Sequence, residues 1–274
     1  MNLDISFGQY CEGNSIIHRM DPRAKIVAAV LYIVTVFLAK NLYAFGLLLF
    51  SVAVLVAASR IPVRVVMKSM KPLVVILLFT AVINIFWMEG ETLLVSVGFI
   101  HIYLEGIINA ILIAVRIMIL LAGTTIFMTF TTTPIALTDG LEQLLSPLKK
   151  IGVPVHEFSM MMTIALRFIP TLTEETQKIM NAQKARGADF STGSLVQRAK
   201  ALVPILVPLF VSAFRRADEL ATAMECRCYT GGEGRTRMNV LHAGAMDYVV
   251  CLMTVALGAL ILFLNRFGGY MLSW

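Results

Sequence analysis

Two segments, Phe158–Gly187 (FSMMMTIALRFIPTLTEETQKIMNAQKARG) and Leu202–Cys228 (LVPILVPLFVSAFRRADELATAMECRC), decide how this chain is read. In the first, apolar residues recur at Phe158, Met161, Ala165, Ile169, Leu172 and Ile179, the three-and-four spacing that lines one face of an α-helix. In the second, Leu202, Leu206, Leu209, Ala213, Leu220 and Met224 do the same. Each predicted helix therefore carries a stripe for burial and delivers one arginine, Arg186 or Arg227, at its C-terminal end. The last carbonyls of a helix are unpaired and partially negative, so a cation there is favoured by roughly 0.3–1 kcal/mol. Gly187 can adopt the left-handed conformation that stops a helix, and the small Ala185 leaves the guanidinium clear. Two readings of each arginine stand. It complements the helix dipole in water, or its fork of five N–H donors enters an acidic groove on another protein. The recurrence of the arrangement gives weight to the second.

Around these segments the chain is membrane-like. Its 274 residues are 58% hydrophobic and 15% charged, against about 45–50% and 25% in soluble domains. That composition predicts an all-α integral membrane protein. The net charge of +6 does not call for nucleic acid as a partner, because the positive-inside rule accounts for its distribution.

Residues 1–25 contain no apolar core of the kind a cleavable signal peptide needs, so the first hydrophobic segment is the expected insertion signal. Asp21-Pro22 reads as a helix start, aspartate as N-cap and proline at the first helical position. Five spans are predicted: Ile26–Ala39, Leu42–Ala58, Leu73–Trp87, Gly106–Met128 and Tyr248–Leu264. The first covers about 21 Å of a roughly 30 Å hydrocarbon core, with Lys25 and Lys40 snorkelling from its ends. Arg60, Arg64, Lys68 and Lys71 mark residues 60–71 as a cytoplasmic connection. Leu93–Ile102, rich in β-branched and aromatic residues, fits a short outward hairpin. With the N-terminus cytoplasmic and the C-terminus outside, all of the 23 lysines and arginines except Lys40, Arg266 and the intramembrane Arg116 fall in or beside cytoplasmic segments. This predicts a multi-pass protein of the cell membrane.

The implied organisation is an N-terminal transmembrane domain of four spans (residues 1–130), a cytoplasmic region of long helices lying along the membrane (131–245), and a C-terminal transmembrane helix (246–274). Ala201–Phe214 is apolar, but it is 14 residues long, interrupted by Pro204 and Pro208, and positively charged at both ends. Such a segment is expected to be buried or interfacial rather than spanning. A shorter helix opens near Thr133-Pro134 and runs to about residue 150, and Gly231-Gly232-Glu233-Gly234 closes the region as a flexible linker.

No set of residues suggests catalysis. Cys11, Cys226, Cys228 and Cys251 lack zinc-finger spacing, and residues two apart on a helix do not face one another. His18, His101, His156 and His242 are scattered, and no serine, histidine and carboxylate stand at suggestive spacing. No metal or cofactor is expected, and a membrane-bound enzyme, for instance a lipid-modifying one, finds no support. Arg116 is either a functional intramembrane charge or a cation bonded to a carbonyl or polar group of a neighbouring helix. No G-x-x-x-x-G-K-[ST] loop is present, so ATP-driven work would need a partner to supply the ATPase.

Three stretches carry a resemblance. The run Gly8-Gln9-Tyr10-Cys11-Glu12-Gly13-Asn14-Ser15-Ile16-Ile17-His18-Arg19-Met20-Asp21-Pro22-Arg23-Ala24-Lys25 resembles the opening of the transmembrane T component of energy-coupling factor (ECF) transporters, the vitamin importers of prokaryotes. Ala185-Arg186-Gly187 resembles that family's short arginine motif, and Ser212–Ala221 (SAFRRADELA) its second coupling-helix motif. The likeness extends over the whole chain in order and hydropathy. It implies a non-catalytic coupling subunit whose two cytoplasmic helices insert arginine motifs into grooves of two ABC-type ATPase subunits and grip a substrate-binding membrane S component. Ala185, Arg186 and Gly187, with Cys226, Arg227 and Cys228, then become the ATPase contacts. Cys226 and Cys228 stand where the family usually has alanine and glycine. Because Cys228 lacks glycine's access to positive φ, the second helix is expected to run on to Tyr229 and end at Gly231. A secondary transporter or channel with Arg116 on the substrate path is the alternative, and no inverted repeat supports it.

Overall fold

The computed structural model describes residue 11 and residues 13–87, 92–97, 100–190, 194–232 and 241–267. Its elements run α1 (Pro22–Leu38), α2 (Leu42–Ser59), α3 (Val63–Met70), α4 (Val74–Trp87), β1 (Leu93–Val97), β2 (Ile100–Tyr103), α5 (Leu104–Thr124), α6 (Pro134–Leu145), α7 (Val155–Ala185), α8 (Leu195–Cys226) and α9 (Ala245–Phe267). A π-helical turn, Thr125–Phe130, extends α5. The two short strands form one antiparallel hairpin with an irregularity between Leu93 and Val95, and the other regular structure among the described residues is helical. The protein is an all-α integral membrane protein. It forms two compact units, Met1–Leu144 with Val240–Trp274, and Leu145–Asn239.

In the first unit, α1 starts where the sequence indicates. The Asp21 carboxylate accepts the Arg23 N–H at 2.9 Å, and Pro22 opens the helix. Burial alone would raise the Asp21 carboxyl, but hydrogen bonds and charge from Arg23 outweigh it and hold the group below the usual carboxylate range. α1 and α9 are parallel partners. The Asp21 N–H donates to Asp247 Oδ1 (3.0 Å) at one end, and Asn265 Nδ2 donates to the Leu38 carbonyl (2.6 Å) at the other. α5 runs antiparallel to α1, and each helix supplies a buried cation to the other's C-terminus. Lys25 Nζ donates to the Thr131 carbonyl (2.7 Å), just past the π-helical turn, and Arg116 to the Ala39 carbonyl that ends α1. The Arg116 guanidinium also sits 5.3 Å from the Phe45 ring centroid. Of the two sequence readings of Arg116, bonding to a neighbouring carbonyl is the one observed. Tyr32, Val36, Leu48, Ile126, Phe127, Phe130 and Ile261 fill the core between these helices.

Among the described residues, five helical segments are long and apolar enough to cross a membrane: Leu42–Ser59, Val63–Phe86, Leu104–Phe130, Val196–Cys226 and Ala245–Arg266. Four match predicted spans. The fifth is α8, whereas α1, with 17 residues, is shorter. The basic connection at 60–71 also gains structure, because Val66 and Met70, four apart, are buried while Arg64 and Lys68 face outward, so it folds as α3.

Candidate functional site

The second unit is built on α7 and α8, which pack against each other. Ser194 caps α8 with a reciprocal box: its hydroxyl accepts the Gln197 N–H, and the Gln197 side chain accepts the Ser194 N–H at 2.9 Å. On α8 the covered line is Ala201, Ile205, Leu209, Ala213, Arg216, Leu220 and Met224, with Ile205 only 3% exposed. The predicted stripe is corrected here. Leu202 and Leu206 are exposed, as are Val203, Val207, Phe210, Val211 and Phe214. Apolar residues surround this part of α8, so spacing alone cannot choose the face that meets α7. On α7, Ile169, Leu172 and Ile179 are half-buried, while Phe158, Met161 and Ala165 are exposed.

Where the helices meet, Arg216 Nη2 pairs with Glu175 Oε2 at 3.0 Å. Hydrogen bonds from Ser212 and Arg216 hold the Glu175 carboxyl below its usual range. Arg186 lies eleven residues beyond Glu175, and Arg227 eleven beyond Arg216. At 1.5 Å per residue the arms past the crossing are equal, about 16 Å each. The sequence reading placed Arg216 in a motif but missed this pairing. The matched offset of a carboxylate and an arginine from the two helix ends was the signal available.

The two ends are congruent. After α7, Arg186 is the capping residue, Gly187 takes φ +89°, the Gly187 N–H donates to the Lys184 carbonyl (2.9 Å) and the Ala188 N–H to the Gln183 carbonyl (3.0 Å). After α8, Arg227 is the capping residue, Cys228 takes φ +55°, the Cys228 N–H donates to the Glu225 carbonyl (2.8 Å) and the Tyr229 N–H to the Met224 carbonyl (3.0 Å). Both are Schellman closures, with a 6→1 bond around a left-handed residue. The expectation that α8 continues to Tyr229 and ends at Gly231 is therefore overturned: the helix stops at Cys226. A non-glycine residue in the left-handed region costs roughly 1–2 kcal/mol, which two backbone hydrogen bonds, each worth about 0.5–1.5 kcal/mol net, can offset.

Ala185, Arg186, Gly187, Cys226, Arg227 and Cys228 are all exposed. Neither guanidinium has a side-chain partner among the described residues. Beyond the second end the chain turns back onto α7: a Cβ at Gly232 would lie 2.5 Å from His156 Cδ2, so only glycine packs there without displacing the ring. Gly232 is thus packed against His156, while Glu233 and Gly234 of the expected linker lie outside the described residues.

Residues 13–238 match the sequence family described as cobalt transport protein. A curated relative from Acidaminococcus fermentans, the energy-coupling factor transporter transmembrane protein EcfT, is 53% identical over 97% of this chain and 98% of its own length. Proteins of the same name from Ruminiclostridium cellulolyticum and Bacillus subtilis are 52% and 49% identical, over 93% and 94% of this chain and 95% and 97% of theirs. The chain belongs to the family of ECF transporter T components. Its place is in a membrane, in transport. The opening run that suggested the family is a knot of hydrogen bonds in this T component. His18 bonds Ser15 Oγ (2.6 Å) and the Cys11 carbonyl (2.9 Å), and Lys25 reaches the His18 carbonyl (3.3 Å). Gly8, Gln9, Tyr10 and Glu12 of that run lie outside the described residues.

Proposed function

We propose that this T component is the non-catalytic coupling subunit of an ECF-type ABC importer, passing ATP-driven motion from two ATPase subunits to a substrate-binding membrane S component for uptake of vitamins or other micronutrients. The observation that carries the reading is the pair of congruent helix ends, each presenting one exposed arginine beyond a shared crossing point. A guanidinium on a rigid cap suits a groove lined with carboxylates, where its planar fork bonds bidentately. Ala185, Arg186 and Gly187 contact one ATPase, and Cys226, Arg227 and Cys228 the other. The ion pair at the crossing links the two arms, so displacement of one end moves the other.

In this reading α1, α2, α4, α5 and α9 span the bilayer, with the N-terminus cytoplasmic and the C-terminus outside. Residues 131–245 form the cytoplasmic coupling region between the transmembrane parts 1–130 and 246–274. The parallel pairing of α1 with α9 supports opposite sides for the two termini. α8 lies along the inner face rather than crossing it, since its apolar stretch, 201–214, is short and flanked by Lys200 on one side and Arg215 and Arg216 on the other. A channel with Arg116 on its path is disfavoured, because that side chain is committed to the Ala39 carbonyl and the Phe45 ring.

Loss of one partner of a desolvated charge pair costs about 2–5 kcal/mol, or tens- to thousands-fold in affinity. The double variant Arg186→Ala/Arg227→Ala is expected to stay in the membrane and abolish uptake. Retention of both ATPases through its purification contradicts the reading.

A further inference from the structure

The two helix ends differ in the residues that flank the arginine. Cys226 and Cys228 flank Arg227, whereas Ala185 and Gly187 flank Arg186. Both thiols are exposed, while Cys11 and Cys251 are half-buried and Cys251 hydrogen-bonds the Ala24 carbonyl. The thiols are not needed to form the closure, since the first end makes the same two hydrogen bonds with alanine and glycine. Cys228 even occupies a left-handed position, φ +55°, that disfavours any side chain. Reactivity, rather than packing, is what commonly decides the presence of such a cysteine.

We propose that Cys226 and Cys228 are a thiol-modification site that makes docking at the second end, and at that end alone, sensitive to low-molecular-weight disulfides. The inference rests on the docking role of Arg227 given above. In the step, a cysteine thiolate attacks one sulfur of the disulfide. A Cys–S–S–R bond forms as the R–S–S–R bond breaks, and RS⁻ leaves. Cysteine is oxidised and the released thiol reduced, and an added thiol reverses the exchange. The adduct puts a bulky group beside the guanidinium that must enter a close-fitting groove. Docking and modification are therefore mutually exclusive, and by linkage each disfavours the other to the same extent. The undocked chain reacts and the docked end is protected.

The test uses the full chain in detergent with its two ATPases. The chain is incubated with oxidised glutathione, the adduct is verified by intact mass, and the ATPases are then added. The expected result is at least a tenfold loss of the ATPase whose retention depends on Arg227, no loss of the one that depends on Arg186, and recovery with dithiothreitol. Cys226→Ala/Cys228→Gly, which places the first end's alanine and glycine beside Arg227, is expected to retain each ATPase to the same extent with and without the treatment. In the assembled complex, alkylation of Cys226 and Cys228 by iodoacetamide is expected to slow at least tenfold. Failure of the adduct to form on Cys226 or Cys228, full retention of both ATPases by the modified chain, or equal loss on treating the Cys226→Ala/Cys228→Gly variant overturns the proposal. Arg227→Ala, measured in parallel, separates the two levels. If it loses no ATPase the docking reading fails, and if it does while thiolation has no effect only the thiol site fails.

Discussion

The end of α7 and the end of α8 share one backbone geometry, reached from different sequences. Ala-Arg-Gly closes the first and Cys-Arg-Cys the second, with the arginine at the same capping position and the same pair of backbone hydrogen bonds. What is common is the presentation of a guanidinium. What differs is how the presentation is held: by glycine's conformational freedom at the first end, and at the second by hydrogen bonds that outweigh strain together with the packing of Gly232 on His156. The same task can thus be met by an intrinsically permissive residue or by a constrained one with outside support.

The comparison breaks most severely if the arginines are removed singly. Arg186→Ala and Arg227→Ala should each weaken one ATPase by tens- to thousands-fold and leave the other in place, as read by the subunits that co-purify in mild detergent. Simultaneous loss of both from either single variant would show that the ends do not act separately. Next in size, Gly232→Val should weaken only the ATPase at Arg227, because the added side chain runs into His156 and overpacking costs about 1–3 kcal/mol. Adding His156→Ala should recover much of that loss, which a merely unfolded variant would not do.

A smaller effect sharpens the likeness of the two ends. Gly187→Cys makes the first resemble the second and should lower stability by about 1 kcal/mol, while Cys228→Gly should raise it by a similar amount. The midpoint of thermal unfolding in detergent reads both, and shifts of the same sign would contradict the shared left-handed position. The smallest effect belongs to Glu175→Gln. The Arg216–Glu175 pair is partly exposed, and such pairs contribute little. Both ATPases should remain bound, with only their coordinated response to ATP weakened, as seen in uptake relative to ATP hydrolysis.

Much of this was legible in the sequence where one physical signal dominates. Asp21-Pro22 fixed the start of α1, because capping is a local matter. Spans that are long and apolar announced themselves, and the two arginines stood out by repetition. Face selection on α8 was not legible, because Leu202, Leu206 and Phe210 are as apolar as Ile205 and Leu209. The stop at Cys226 was not legible either, since side-chain preference at Cys228 pointed one way and two backbone hydrogen bonds another. The reciprocal capping by Lys25 and Arg116 joins residues 106 and 77 positions apart, and pattern reading within a window cannot see it.

The parallel pairing of the first and last helices bears on how the molecule is made. The Asp21 N–H waits for an acceptor 226 residues downstream, and the Leu38 carbonyl for a donor 227 residues downstream. At the ~5–20 residues per second of ribosomal synthesis, α1 is made roughly 10–45 s before its neighbour emerges. A nascent chain that has not reached Asp247 lacks the acceptor for the Asp21 N–H and the donor for the Leu38 carbonyl, so the pairing of α1 with α9 is a late event.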